Sequence, residues 1–172
     1  MSFLEIFRKL NNYIGTHKVH LCPEVNGSLL NGGEPLANVK ITRLLYYSDG
    51  KSTEDNCYTD SNGIFSMPEK SLRSSQPSLL IAERFTSQII QAAYGDKEHL
   101  LWAFTNSGIK AKAEVALKLR ELNGDITNED IFFSFYSHED DFKYEASSIC
   151  RWEDNFEEVI FNDDPYRYVN LD

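Results

Sequence analysis

Val25-Asn26-Gly27, Gly33-Glu34-Pro35-Leu36-Ala37-Asn38-Val39-Lys40-Ile41 and Thr59-Asp60-Ser61-Asn62-Gly63-Ile64-Phe65 are the three stretches on which the fold turns. Before the second lies Asn31-Gly32-Gly33, able to take the positive-φ conformations that a tight turn needs. Pro35 cannot donate to a ladder, so it belongs at the start of the next strand or on an edge. Val39, Ile41 and Arg43 then alternate against Lys40 and Thr42, as a half-buried strand does. Asp60-Ser61-Asn62-Gly63 is a second strong turn, and Ile64-Phe65-Ser66-Met67 is a strand stopped by Pro68, with Phe65 and Met67 on one face.

Working outward, Val19 and Leu21 alternate with polar neighbours upstream. Downstream, Ser48 to Asn56 reads as a polar loop around Asp49-Gly50. Leu79–Phe85 and Ser87–Tyr94 read as strands, and Gly95-Asp96-Lys97 turns the chain into Leu100–Phe104. Turns at such short spacing predict an antiparallel sandwich or barrel. Residues 111–122 carry two readings. By propensity they form a helix ending at Gly124; by period, Ala113, Val115, Leu117 and Leu119 make one face of a strand. The strand is preferred because the preceding elements need partners. Ile131–Tyr136 and Val159-Ile160-Phe161 read as apolar elements docked on the body. Phe3, Leu4, Phe7 and Leu10 fall at helical spacing, predicting a short amphipathic helix over residues 2–13.

The three opening stretches resemble the carboxypeptidase regulatory-like domains of the transthyretin-like (prealbumin-like) fold. Those domains typically read G-x-V, G-x-P-L-x-G-V-x-V and T-D-x-x-G-x-F, and Asn38 here replaces a usual small residue. The resemblance covers about 45 residues and implies a mainly β, antiparallel transthyretin-like β-sandwich. Such domains are usually non-catalytic accessories or binding modules. The expected layout is an N-terminal helix over 1–16, the sandwich over 17–122, and an acidic, aromatic-rich α/β extension over 123–172. His17–Val25 also resembles a group of bacterial proteins of unassigned activity that carry this domain near the N-terminus, which implies a cytoplasmic bacterial protein. Hydroxyisourate hydrolases share the fold but end in Tyr-Arg-Gly-Ser. Tyr166-Arg167-Tyr168-Val169 keeps only the first two letters, so that activity is not expected.

Charge is distributed unevenly. Residues 1–120 balance at +2 and residues 121–172 at −12, within a chain of net charge −10. Direct nucleic-acid binding is disfavoured, because that affinity comes from neutralising phosphates. No apolar run approaches a membrane span of about 20 residues. Three widely spaced cysteines without a Cys-x-x-Cys pair suggest reduced thiols rather than a disulfide framework.

Sites are sparse. His20 and Cys22, two apart on one strand and joined by Cys57, are weak candidates for a soft metal. No Gly-x-Ser-x-Gly turn or phosphate loop is present, and no cofactor or catalytic residue is assigned. Asp60-x-Asn62-Gly63 does not complete a calcium loop. What remains is the acidic third with interleaved aromatics, which suits a basic protein partner. The expected partner-binding residues are Glu139, Asp140, Asp141, Trp152, Glu153, Asp154, Glu157, Glu158, Asp163 and Asp164. The most concrete expectation is an immunity or antitoxin-like protein occupying a basic toxin. An accessory module docking through a strand edge in residues 17–47 is the alternative.

Overall fold

Alternation of buried and exposed side chains places nearly every element of this chain. The computed structural model describes residues 14–78, 84–137 and 142–160. In chain order the strands are β1 (His17–Cys22), β2 (Val25–Asn31), β3 (Glu34–Pro35), β4 (Lys40–Tyr47), β5 (Ser52–Tyr58), β6 (Ile64–Met67), β7 (Lys70–Ser74), β8 (Phe85–Tyr94) and β9 (Lys97–Ser107). Helix α1 (Ala113–Arg120) follows, then β10 (Leu122–Asp125), β11 (Ile131–Tyr136), β12 (Lys143–Ser148) and β13 (Glu157–Glu158). The protein is mainly β, with antiparallel sheets and one short helix. The expected N-terminal helix and the Leu79–Glu83 part of an expected strand lie outside the described residues.

Seven strands form the large sheet in the order β13-β11-β12-β9-β8-β4-β5. β2 pairs β3 and β6 antiparallel and β10 parallel, and β1 pairs β7. One core joins these sheets. Val19, Leu21, Val25, Leu29, Phe65, Met67 and Leu72 come from the smaller sheets, and Ile41, Leu45, Ile90, Trp102, Phe104, Phe133 and Phe135 from the large one. Gly32 and Gly33 take φ of 61° and 88° in the β2–β3 turn, as their sequence predicts. Asp125 fixes that turn from β10, its carboxylate accepting from the Gly32 and Gly33 amides at 2.9 and 2.8 Å. Phe65 and Met67 share the buried face of β6.

Three expectations are corrected. Residues 113–120 are helical, not a strand. Ala, Leu, Glu, Lys and Arg are strong helix formers, and Val115 and Leu119, four apart, are buried while Leu117 is exposed. The strand partners come from β10, β11 and β12 instead. Ser48–Asn56 is not one loop either. The Asp49-Gly50 turn is short, and β5 begins at Ser52, with Thr53, Asp55 and Cys57 on its half-buried face. Finally, the acidic extension is not α/β where it is described. From residue 123 onward its described elements are strands, as the aromatic-rich Ile131–Tyr136 favours.

The inward face of β5 has a chemical reason. Arg43, on the buried face of β4, has 0% exposure. A buried guanidinium is costly unless paired, and Asp55 lies directly across the ladder. Its carboxylate accepts from Arg43 Nε at 2.9 Å and Nη2 at 2.8 Å, while Nη2 also donates to the Pro68 carbonyl at 2.9 Å. Lys70 adds a 3.1 Å contact to Asp55.

Candidate functional site

The histidine–cysteine strand does not gather into a metal site. A register shift between His20 and Cys22 breaks the two-residue period of β1. Cys22 is fully buried beside Arg43, and burial pushes its thiol up to about 11. His20 points elsewhere, with Nε2 at 3.9 Å from Glu69, and burial lowers its basicity. Cys57 is half-buried on β5, where burial raises its thiol as well. Among the described residues, no group of three or more His, Cys, Asp or Glu side chains could hold a metal ion. Asp60 Oδ1 accepts from the Asn62 and Ile64 amides at 2.8 and 2.9 Å, so this carboxylate serves the turn.

The acidic C-terminal stretch divides between packing and surface. Trp152 is half-buried in an aromatic cluster, with ring centroids 5.1 Å from Phe133, 6.0 Å from Trp102 and 5.8 Å from Phe156. Its Nε1 donates to the Lys118 carbonyl at 3.1 Å, and Lys118 Nζ stands 5.2 Å over the ring. Lys118 in turn donates to the Asp154 carbonyl at 2.6 Å, and burial lowers its ammonium pKa. Trp152 is therefore an internal fastener between α1 and the segment entering β13. Glu153, Asp154, Glu157 and Glu158 are exposed. Glu157 pairs with Lys143 at 2.9 Å, and that hydrogen bond holds its carboxyl below the usual range. Glu139, Asp140, Asp141, Asp163 and Asp164 lie outside the described residues.

A cleft interrupts the large sheet. The ladder between β9 and β12 joins only Ala146 to Phe104 and Ser147 to Ala103. Beyond those pairs, β9 keeps its partner β8 as far as Ser107 and β12 keeps β11 as far as Lys143. The two strands part from one another while each holds its outer neighbour. Between them lies a cavity of about 660 Å³ whose walls include Phe104, Asn106, Lys112, Phe142, Lys143 and Tyr144. Asn106, Lys112 and Lys143 carry no signal in the sequence, because the cleft is made by the point at which a ladder stops. Phe142 and Tyr144 are visible there only as members of the aromatic-rich third.

The family described as a domain of unknown function (DUF6795) matches residues 25–129, and the chain belongs to that family. No curated protein and no solved structure matches the chain. The family span begins at β2 and ends just before β11, so two strands of the large sheet's central part, β11 and β12, stand beyond it. Among the described residues, no helix is long and apolar enough to cross a membrane.

Proposed function

We propose that this chain is a non-enzymatic protein-binding module whose acidic C-terminal face meets a basic partner. In its most concrete form it is a cytoplasmic bacterial immunity protein neutralising a cognate toxin, built on a transthyretin-like β-sandwich of the carboxypeptidase regulatory-like kind. The observation that carries the reading is the exposed set Glu153, Asp154, Glu157 and Glu158, held on the packed aromatic base of Trp152, Phe156 and Phe133. A mainly acidic patch, in which Lys143 answers only Glu157, steers association and rejects partners of the same sign. The test begins with a partner recovered from the source cells at low salt and then purified. Association should slow steeply as salt rises, and neutralising all four carboxylates (E153Q, D154N, E157Q, E158Q) should slow it about tenfold. Salt-insensitive association, or an unchanged rate in that variant, removes the reading.

The accessory reading keeps the edges expected in residues 17–47, where β1 pairs only β7 and β3 only β2 among the described residues, and β5 adds another. β4 runs between β5 and β8, so its backbone is already paired on both sides, whereas β5 ends the sheet. A seven-residue edge can accept a partner's strand. Proline substitutions along Ser52–Cys57 that abolish binding, beside acidic-face variants that do not, would select this reading.

A further inference from the structure

We propose that the outer face of the large sheet is the docking surface for the chain's own N-terminal segment, residues 2–13, laid across it as the amphipathic helix its spacing predicts. This docking involves neither the acidic residues of β13 nor the partner they would meet.

An antiparallel sheet with one face in water alternates apolar inward and polar outward. β4 and β8 depart from that rule. Leu44, between buried Arg43 and Leu45, is 37% exposed; Ile89, between buried Gln88 and Ile90, is 38% exposed; Tyr46 is 40% exposed. Leu44 lies directly across the ladder from Ile89, and Ile89 from Ala103. Ala103 pairs in turn with Ser147, and Ser147 with Phe132. Directly paired residues share a face, so these five side chains form one ridge across β4, β8, β9, β12 and β11. Tyr46 and Phe85 widen it, their rings 6.2 Å apart. The ridge runs into the cleft, whose walls include Ala103, Phe132 and Ser147. Single exposed apolar residues are ordinary, but a contiguous run of them marks an interaction site.

The chain supplies an occupant of the right length, starting at the right place. Residues 1–13 precede Ile14, whose carbonyl accepts from Lys51 Nζ at 2.7 Å. Lys51 sits in the β4–β5 turn, where its own carbonyl accepts from the Tyr47 amide at 2.8 Å. The next residue, Ser52, is the ladder partner of Tyr46, so the segment leaves from the Tyr46 end of the ridge. Phe3, Leu4, Phe7, Leu10 and Ile14 fall on one helical stripe. At about 1.5 Å per residue, Phe3 stands about 16 Å from Ile14. Strands about 4.8 Å apart put β12 about 14 Å from β4. Leu10 then meets Leu44 and Tyr46, Phe7 meets Ile89 and Ala103, and Phe3 reaches the cleft. A second copy is the competing occupant. Each copy carries a net charge of −10 and repels the other, whereas the tether holds the segment at an effective concentration on the order of millimolar.

Ile89→Cys places a thiol on the ridge, and its alkylation in native buffer can be followed by mass spectrometry with half-buried Cys57 as the internal reference. In the whole chain, labelling at position 89 should be slow and independent of protein concentration. Adding Phe7→Ser and Leu10→Ser should speed it about tenfold, with the rate at Cys57 unchanged. Equal rates at position 89 with and without those two substitutions overturn the proposal. A rate there that slows as protein concentration rises also overturns it, and assigns the ridge to a second copy. Circular dichroism melts confirm that each variant is folded, and Leu44→Cys takes the place of Ile89→Cys should the latter fail to fold.

Discussion

Arg43 shows how one side chain decides the shape around it. Its place on the apolar side of Val39, Ile41 and Arg43 is readable in the sequence, but its partner is not. Asp55 sits in a polar run that reads as a loop, and only the buried charge explains why that run becomes a strand. Burial alone would raise the Asp55 carboxyl, but the hydrogen bonds and charge of Arg43, and then of Lys70, outweigh it and hold the carboxyl below its usual value of 3.8. Removing Asp55 leaves a buried guanidinium without its counter-charge, and Asp55→Ala should cost about 2–4 kcal/mol in urea unfolding. Arg43→Met should cost less, because the remaining carboxylate keeps Lys70 and some solvent. The pH dependence has a definite sign. A carboxyl depressed in the folded state contributes stability above its unfolded pKa, and that contribution is lost as pH falls through the folded value. Wild-type stability should therefore decline below about pH 4 more steeply than that of Asp55→Ala. Asn38 is the converse case. It stands where the family resemblance expects a small residue, and it takes φ of 58°, a conformation that asparagine tolerates better than most residues.

Among the elements, β2 is the most constrained. It lies between β10 and the β3 and β6 partners, and its Gly27 faces Leu122 across the parallel pairing. A Cβ at Gly27 would overlap the Leu122 carbonyl and press on the Phe65 ring. The overlap is with backbone, which cannot swing aside. Gly27→Ala should therefore cost more than about 3 kcal/mol, measured as a fall in urea midpoint or in folded yield. The turns, the β2–β3 hairpin and the buried pair Phe65 and Met67 were legible because local chemistry dictates them. α1 was legible only by propensity. Its alternation mimics a strand, and the two readings separate only when Leu117 is seen to face solvent. The cleft was not legible at all. It depends on where the β9–β12 ladder ends, a long-range register that no local pattern encodes.

For the molecule as a whole, the family span and the folded sheet do not share a boundary. Trp102, on β9 and fully buried, donates Nε1 to Gln88 at 2.9 Å and packs its ring against Phe133 and Trp152, both beyond residue 129. The expected division after residue 122 likewise falls within β10. Each fully buried aromatic contributes roughly 1.5–3 kcal/mol, so exposing this cluster would strip the family's own β9 of much of its support. Unfolding followed by tryptophan emission should coincide with that followed by far-ultraviolet circular dichroism. An earlier fluorescence transition would mean that the C-terminal strands melt separately. The depths of the three thiols give the molecule an internal clock. Cys22 and Cys150 are buried, with thiols pushed up to about 11 and about 12, whereas Cys57 is only half-buried. An alkylating reagent in native buffer should modify Cys57 first, and reach the other two only at the pace at which the protein opens. Mass spectra taken over time would then separate breathing of the β5 edge from excursions of the entire chain.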